Sequence, residues 1–191
     1  EIYIKRDDLI HPFVSGNKWR KLKYNILEAQ NKGFKGILTY GGAYSNHLLA
    51  TACACASFGL KSIGYVRGEE LNFRSNHVLK LCYEYGMELR FIPRDLYKSL
   101  SLNSKDIEKD YFTVAEGGHN ENGVKGCEEI LGGSFKELPI DTVFCAVGTS
   151  TTFCGIIRSV PLETRVYGIA AIGDSKYLED TISQYTGHIK N

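Results

Sequence analysis

The chain lacks several features that would place it quickly. Its six cysteines, Cys53, Cys55, Cys82, Cys127, Cys145 and Cys154, form no C-x-x-C pair, and no His or Cys has metal-ligand spacing. Most of these cysteines sit in apolar runs, which reads as buried free thiols in a reducing, cytoplasmic compartment. Charge of one sign is also missing. Lys and Arg total 23 against 22 Asp and Glu, a balance that gives no support to a nucleic-acid or polyanion partner. No apolar stretch approaches membrane-span length, so no membrane partner is expected. No G-x-G-x-x-G follows an apolar run, which argues against a plain nucleotide-binding α/β domain. There is no internal repeat.

What is present is an alternation of short apolar runs and amphipathic stretches over 191 residues, enough to bury a core. The pattern predicts strands over residues 1–5, 36–40, 61–66, 87–92, 111–114, 141–147 and 164–171. It predicts helices over 17–31, 45–58, 73–85 and 152–160, and one more ending near Gly132-Gly133. Residues 94–110 read as a short helix and an exposed loop, and Ser15 is the expected cap of the helix at 17. Strands alternating with helices argue for an α/β fold with parallel sheets.

Three stretches carry the chemistry. The first is Asn17-Lys18-Trp19-Arg20-Lys21 after Ser15-Gly16. A helix start and neighbouring cations disfavour the ammonium form of Lys18, as an amine that holds an aldehyde requires. The plainer alternative is an exposed lysine on a solvated basic helix face that also carries Arg20, Lys21 and Lys23. The second is Gly41-Gly42-Ala43-Tyr44-Ser45-Asn46-His47, where glycines admit a ligand and Ser45 and Asn46 offer hydrogen bonds to a carboxylate or a phenolic oxygen. Its plainer alternative is that Ser45 only caps a helix and His47 is a polar first-turn residue. The third is Gly148-Thr149-Ser150-Thr151-Thr152, whose N–H groups and hydroxyls suit a phosphate, or else form an ordinary turn between strand and helix.

Together with Lys5-Arg6-Asp7-Asp8-Leu9 and Glu116-Gly117-Gly118, these motifs resemble, in order and over nearly the whole chain, the D-cysteine desulfhydrase and 1-aminocyclopropane-1-carboxylate (ACC) deaminase family. These are pyridoxal 5′-phosphate (PLP) enzymes of the tryptophan-synthase-β-like fold. The resemblance implies two α/β lobes, residues 34–115 as the smaller and residues 1–33 with 116–191 as the larger, with PLP in the cleft between them. It implies that Lys18 is the Schiff-base residue, that Asn46 bonds the cofactor's ring oxygen, and that Ser45, with Asn46 and His47, meets the substrate. The loop of Gly148, Thr149, Ser150, Thr151 and Thr152 would hold the phosphate. The implied reaction releases ammonia and a 2-oxo acid from a small amino acid, in a protein expected to be a homodimer when complete.

The chain also departs from this pattern. Ser150 and Thr151 stand where the family carries more glycine, and a positive φ there would strain the loop. Family members continue past the position of Asn191, so the chain is expected to lack a residue facing the pyridine nitrogen and an active-site tyrosine. Tyr185-Thr186-Gly187 lacks the Asp-Pro that precedes a similar family motif and reads as a helix end. These departures keep open a second possibility, an impaired or non-catalytic homologue that binds PLP or a phosphorylated metabolite. His47 leans towards the desulfhydrase pattern, since ACC deaminases tend to have Gln there.

Overall fold

The structure is a computed structural model, which describes residues 1–102, 108–171 and 175–187. Seven helices and six strands alternate within these residues: α1 (Asn17–Asn31), β1 (Gly36–Gly41), α2 (Asn46–Ser57), β2 (Lys61–Arg67), α3 (His77–Glu84), β3 (Met87–Ile92), α4 (Arg94–Leu102), β4 (Tyr111–Val114), α5 (Glu121–Cys127), β5 (Thr142–Val147), α6 (Thr151–Ser159), β6 (Arg165–Ala170) and α7 (Ser175–Thr186). β1 to β4 form one parallel sheet in the order β3-β2-β1-β4, and β5 and β6 pair in parallel in a second. The α/β class with parallel sheets is therefore as the alternation predicted.

Burial explains the elements. All six residues of β1 are buried, because both faces of its sheet are covered. Ile37 packs with Leu22, Ile26 and Ala29 of α1 and with α2, whereas Leu38 and Tyr40 pack on the other face with Tyr97 of α4. Leu22, Ile26 and Ala29 lie four and three residues apart, the stripe of a helix with one buried face. α1 ends at Gly33, whose φ of 72° lets Phe34 N–H reach the Ala29 carbonyl at 3.0 Å and Gly33 N–H the Gln30 carbonyl at 3.0 Å. α1 continues against α5 at a close approach, where a Cβ on Gly126 would lie 1.8 Å from the Arg20 carbonyl oxygen.

Several local expectations are overturned. Residues 1–5 form no strand: Ile2 and Ile4 are 94% and 75% exposed and pair with no strand among the described residues. α3 starts at His77, not at 73, because the Asn76 side chain accepts from Leu79 N–H at 3.0 Å and sets the helix start there. Ser15 does not cap α1; Gly16, at φ 59°, occupies that position and its N–H donates to the Asp7 carbonyl. α5 closes at Cys127, short of Gly132, and Tyr185-Thr186-Gly187 does end a helix, with Gly187 at φ 69°. No described helix is long and apolar enough to cross a membrane.

The strand order decides where a ligand can sit. From β1 the chain runs to β2 and β3 on one side, and β4 returns on the other. Beyond the carboxyl ends of β1 and β4 lies the switch point where parallel sheets open a crevice. The loops at 42–45 and 115–118 both leave from there.

Candidate active site

The start of α1 sends its cations in two directions. Buried Asp7 accepts from Arg20 Nε at 3.1 Å and pairs with Lys5 at 3.1 Å, which turns Arg20 away from the crevice. Lys18 and Lys21, three residues apart, share the opposite face. Lys18 is half-buried and its Nζ donates to Asn17 Oδ1 at 2.8 Å, while Asn17 Nδ2 donates to Thr152 Oγ1 at 2.8 Å. Burial holds the Lys18 pKa below the usual lysine value. The cause differs from the sequence argument: loss of water lowers it, and Arg20 is occupied elsewhere.

Lys21 is the residue that sequence reasoning passed over. It is 3% exposed, not part of a solvated face. Its Nζ donates to the Gly117 carbonyl at 3.1 Å and to Thr149 Oγ1 at 3.2 Å. Burial, and then the charge of Lys18, push its pKa down to about 8. The three-residue spacing from Lys18 was the signal available in the sequence.

The loop from Gly148 to Thr152 opens α6, and its hydroxyls diverge. Thr149 meets Lys21 and Thr152 meets Asn17, as above. Thr151 turns inward to His119 Nδ1 at 2.9 Å and does not line the crevice. Ser150, in a tight turn closed by Thr151 N–H on the Thr149 carbonyl at 2.7 Å, has φ 60°. It is the described non-glycine residue with positive φ, a conformation that costs about 1–2 kcal/mol for an L-residue. The position that demands glycine-like freedom thus holds serine, while the β-branched Thr151 lies within α6 and escapes the strain. Ser150 is 2% exposed and its Oγ finds no hydrogen-bond partner among the described residues.

On the other side of Lys18, Ser45 caps α2 by accepting from Leu48 N–H at 3.2 Å. It also lines an open cleft of about 880 Å³. Asn46 is exposed, at the rim of a smaller hollow. His47 points away from both. Its ring is 2% exposed and its Nε2 sits 2.9 Å from Thr39 Oγ1, which in turn donates to the Val114 carbonyl at 2.8 Å. Since the Thr39 hydroxyl proton is spent on Val114, Nε2 must carry the imidazole proton and donate to Thr39 Oγ1. Burial pushes the His47 pKa down to about 3 and keeps the ring neutral.

Two cavities meet at Lys18. One, of about 160 Å³, is lined by Asn17, Lys18, Lys21, Gly148, Ser150 and Thr152 among others. The other, of about 270 Å³, is lined by Phe13, Lys18, Asn46 and Leu49 with neighbouring residues. The first offers hydroxyls, two amines and the N-terminus of α6, a donor set for an anion, with a buried serine hydroxyl lacking a partner. The second joins the apolar side chains of Pro12, Phe13 and Leu49 to the polar groups of Ser15, Asn17, Lys18 and Asn46, a mixed lining that suits a flat ring with polar substituents. An aldehyde-bearing ring with a phosphate arm fits these residues.

The model for pyridoxal-phosphate dependent enzymes matches residues 1–185. The chain belongs to that family. A putative ACC deaminase from Thermotoga maritima is 32% identical over 183 residues, covering 90% of this chain and 57% of that protein. The mitochondrial bifunctional D-cysteine desulfhydrase/ACC deaminase of Arabidopsis thaliana is 28% identical, covering 95% of this chain and 51% of its own length. The crystal structure of an ACC deaminase homologue superposes with a TM-score of 0.76 at 26% identity, over 97% of this chain and 62% of that one. The chain thus spans little more than half the length of the curated relatives it matches. This PLP-dependent family has the α/β fold with parallel sheets seen here.

Proposed function

We propose that this chain carries the cofactor-holding residues of a PLP-dependent lyase or deaminase of the D-cysteine desulfhydrase or ACC deaminase type. The substrate is a small amino acid, and the products are ammonia and a 2-oxo acid. The observation that carries the reading is the position of the Lys18 amine, shared by two cavities, one lined by amines and loop hydroxyls and one that joins Phe13 and Leu49 to the Asn46 amide, with a pKa lowered by burial. Lys21 is the weaker candidate to hold an aldehyde, because its amine is already engaged by Gly117 and Thr149. The division into residues 34–115 and residues 1–33 with 116–191, with the cofactor between, is part of this proposal.

PLP, when bound, supplies the electron sink for the bond broken at the amino acid's α-carbon. The protein's own residues then have these parts. Lys18 would hold the cofactor's aldehyde carbon, and its amine would move a proton at the substrate. Asn46 holds the ring oxygen, and Ser45 holds the substrate carboxylate from the start of α2. Lys21 neutralises the phosphate alongside the loop of Gly148 to Thr152. His47 acts as a positioning residue, tying α2 to β1 and β4 through Thr39, and its imidazole makes no contact with substrate.

The test is release of ammonia and 2-oxo acid from D-cysteine and from ACC by the PLP-loaded protein, with Ser45→Ala beside it. Ser45→Ala is expected to lower turnover tenfold or more, while loss of the cap costs only about 1 kcal/mol of stability. Unchanged kinetics with a lower Tm would leave Ser45 as a helix cap and remove it from the site. A loaded protein extended to the length of the relatives that releases ammonia from neither amino acid would overturn the assigned substrates.

A further inference from the structure

We infer that Arg67 binds a second acidic group on the substrate's side chain, so that the preferred amino acid carries a carboxylate besides the one on its α-carbon. The inference rests on the proposed reading of Ser45 as holder of the α-carboxylate. Ser45 and Arg67 line one cleft of about 880 Å³ beyond the carboxyl ends of β1 and β2, walled by Arg94, Tyr97 and Lys98 of α4. Arg67, the last residue of β2, is exposed there. Its guanidinium carbon lies 5.6 Å from the centre of the Tyr97 ring, and Tyr97 is 3% exposed, so a fixed aromatic face holds the guanidinium in place. Arg67 Nη2 also reaches Gly42, where a Cβ would lie 3.6 Å away. Ser45 closes the turn that begins at Gly42, its N–H donating to the Gly42 carbonyl at 3.1 Å. The guanidinium thus stands one tight turn from the residue assigned to the α-carboxylate.

The charges of the cleft decide what Arg67 is free to bind. Arg94 is engaged by Glu70 at 2.5 Å. Arg67 and Lys98 have no ion pair among the described residues, and Glu116 is the acid left over. Cations therefore outnumber acids among the unpaired groups, and the cleft favours an anion. A neutral side chain would leave both cations unused. Of the two, Arg67 is the specific one. Its planar fork can give a carboxylate two parallel hydrogen bonds, whereas the lysine amine is a point charge on a flexible stem. Orientation by the Tyr97 ring also lowers the entropy lost on binding. Arg67 is therefore a specificity-determining residue, placed to select among amino acids by the charge of their side chains.

The experiment measures dissociation constants of aspartate and asparagine, each in both configurations, by calorimetry on the PLP-loaded protein extended to the length of the relatives. Aspartate and asparagine match in size and differ in charge. Wild type is expected to bind one configuration of aspartate about five- to tenfold more tightly than the matching asparagine, the effect of one charge-assisted pair at an exposed site, and to lose the preference as salt is raised. Arg67→Gln should abolish the preference by weakening aspartate alone, and Lys98→Gln should leave most of it. Arg67→Lys, which keeps the charge and loses the fork, should retain only part, and it decides the point if the glutamine protein does not fold. Equal affinity for aspartate and asparagine in wild type would overturn the inference. So would a loss in Arg67→Gln that falls equally on both, the mark of a contact with the α-carboxylate, or a preference that disappears with Lys98. The Ser45 reading fails separately, if Ser45→Ala binds both amino acids as wild type does.

Discussion

The two sheets of this molecule support the two loops of the proposed site under opposite conditions. β1 is buried along its whole length, with α1 and α2 on one face and α4 on the other. Among the described residues, β5 and β6 are covered on one face: Val143, Cys145 and Val166 pack beneath α5 and α6, while Phe144, Tyr167 and Ile169 face outward at 70%, 46% and 60% exposure. Phe144 and Tyr167 stack on each other at 5.1 Å, satisfying part of that face locally. The loop of Ser45 and Asn46 therefore stands on a closed core. The loop of Gly148 to Thr152 stands on a half-covered pair of strands and draws its support from helices α1, α5 and α6. The site depends on the helix layer between the sheets more than on either sheet.

The largest effect should come from prising that layer apart. Gly126→Ala would place a methyl group 1.8 Å from the Arg20 carbonyl, and backbone cannot rotate out of the way. The expected cost is at the top of the overpacking range, about 3 kcal/mol or more, together with loss of cofactor affinity as α1 moves off α5. Urea unfolding checks the first and PLP titration the second. An alanine protein as stable as wild type would show that the layer is looser than described.

A second effect, of up to about 3 kcal/mol, comes from the charge buried in that layer. The Lys21 pKa is about 8 when folded against the usual lysine value of 10.5, so between these values the unfolded chain binds more protons and stability rises with pH. Below pH 8 the ammonium is present in both states and its burial is fully unfavourable; above 10.5 it is absent from both. Without ligand, the stability difference between wild type and Lys21→Met should therefore shift in favour of wild type as pH rises from 8 to 10.5. Bound phosphate should abolish this slope by restoring the ammonium. A flat difference without ligand would mean that Lys21 is solvated.

Much of this arrangement was legible in the sequence, and the remainder was not, for physical reasons. Continuous apolar runs marked β1 and β2, because strands buried on both faces show no alternation. The helix at 17–31 was legible from the spacing of Leu22 and Ile26 and from Gly33. Residues 1–5 alternate like a strand but pair with no strand among the described residues, and pairing is not a local property. Ser45 as a cap was visible; that Ser15 is no cap was not, because Asp7, far off in the chain, holds Gly16 in place. The strain at position 150 was foreseen as a condition and is found there. Lys21 and His47 were misjudged because burial of a basic side chain is decided by what folds over it, here Gly117, Thr149 and Thr39.

The smallest effect tests the open sheet. Phe144→Ser should change the stability of this chain by no more than about 1 kcal/mol, since most of the ring is already in water and only its stacking on Tyr167 is lost. Leu22→Ala, on the closed side, should cost about 2–5 kcal/mol by comparison. Equal losses in thermal unfolding would erase the contrast between the two regions.

The central claim is that Lys18, and not its buried neighbour, holds the cofactor. Borohydride reduction of the protein with bound PLP, followed by peptide mapping, tests it directly. The account predicts a pyridoxyl group on the peptide containing Lys18 and its loss in Lys18→Ala. A label on Lys21 or Lys23, or on no lysine of a protein that has bound PLP, would contradict it.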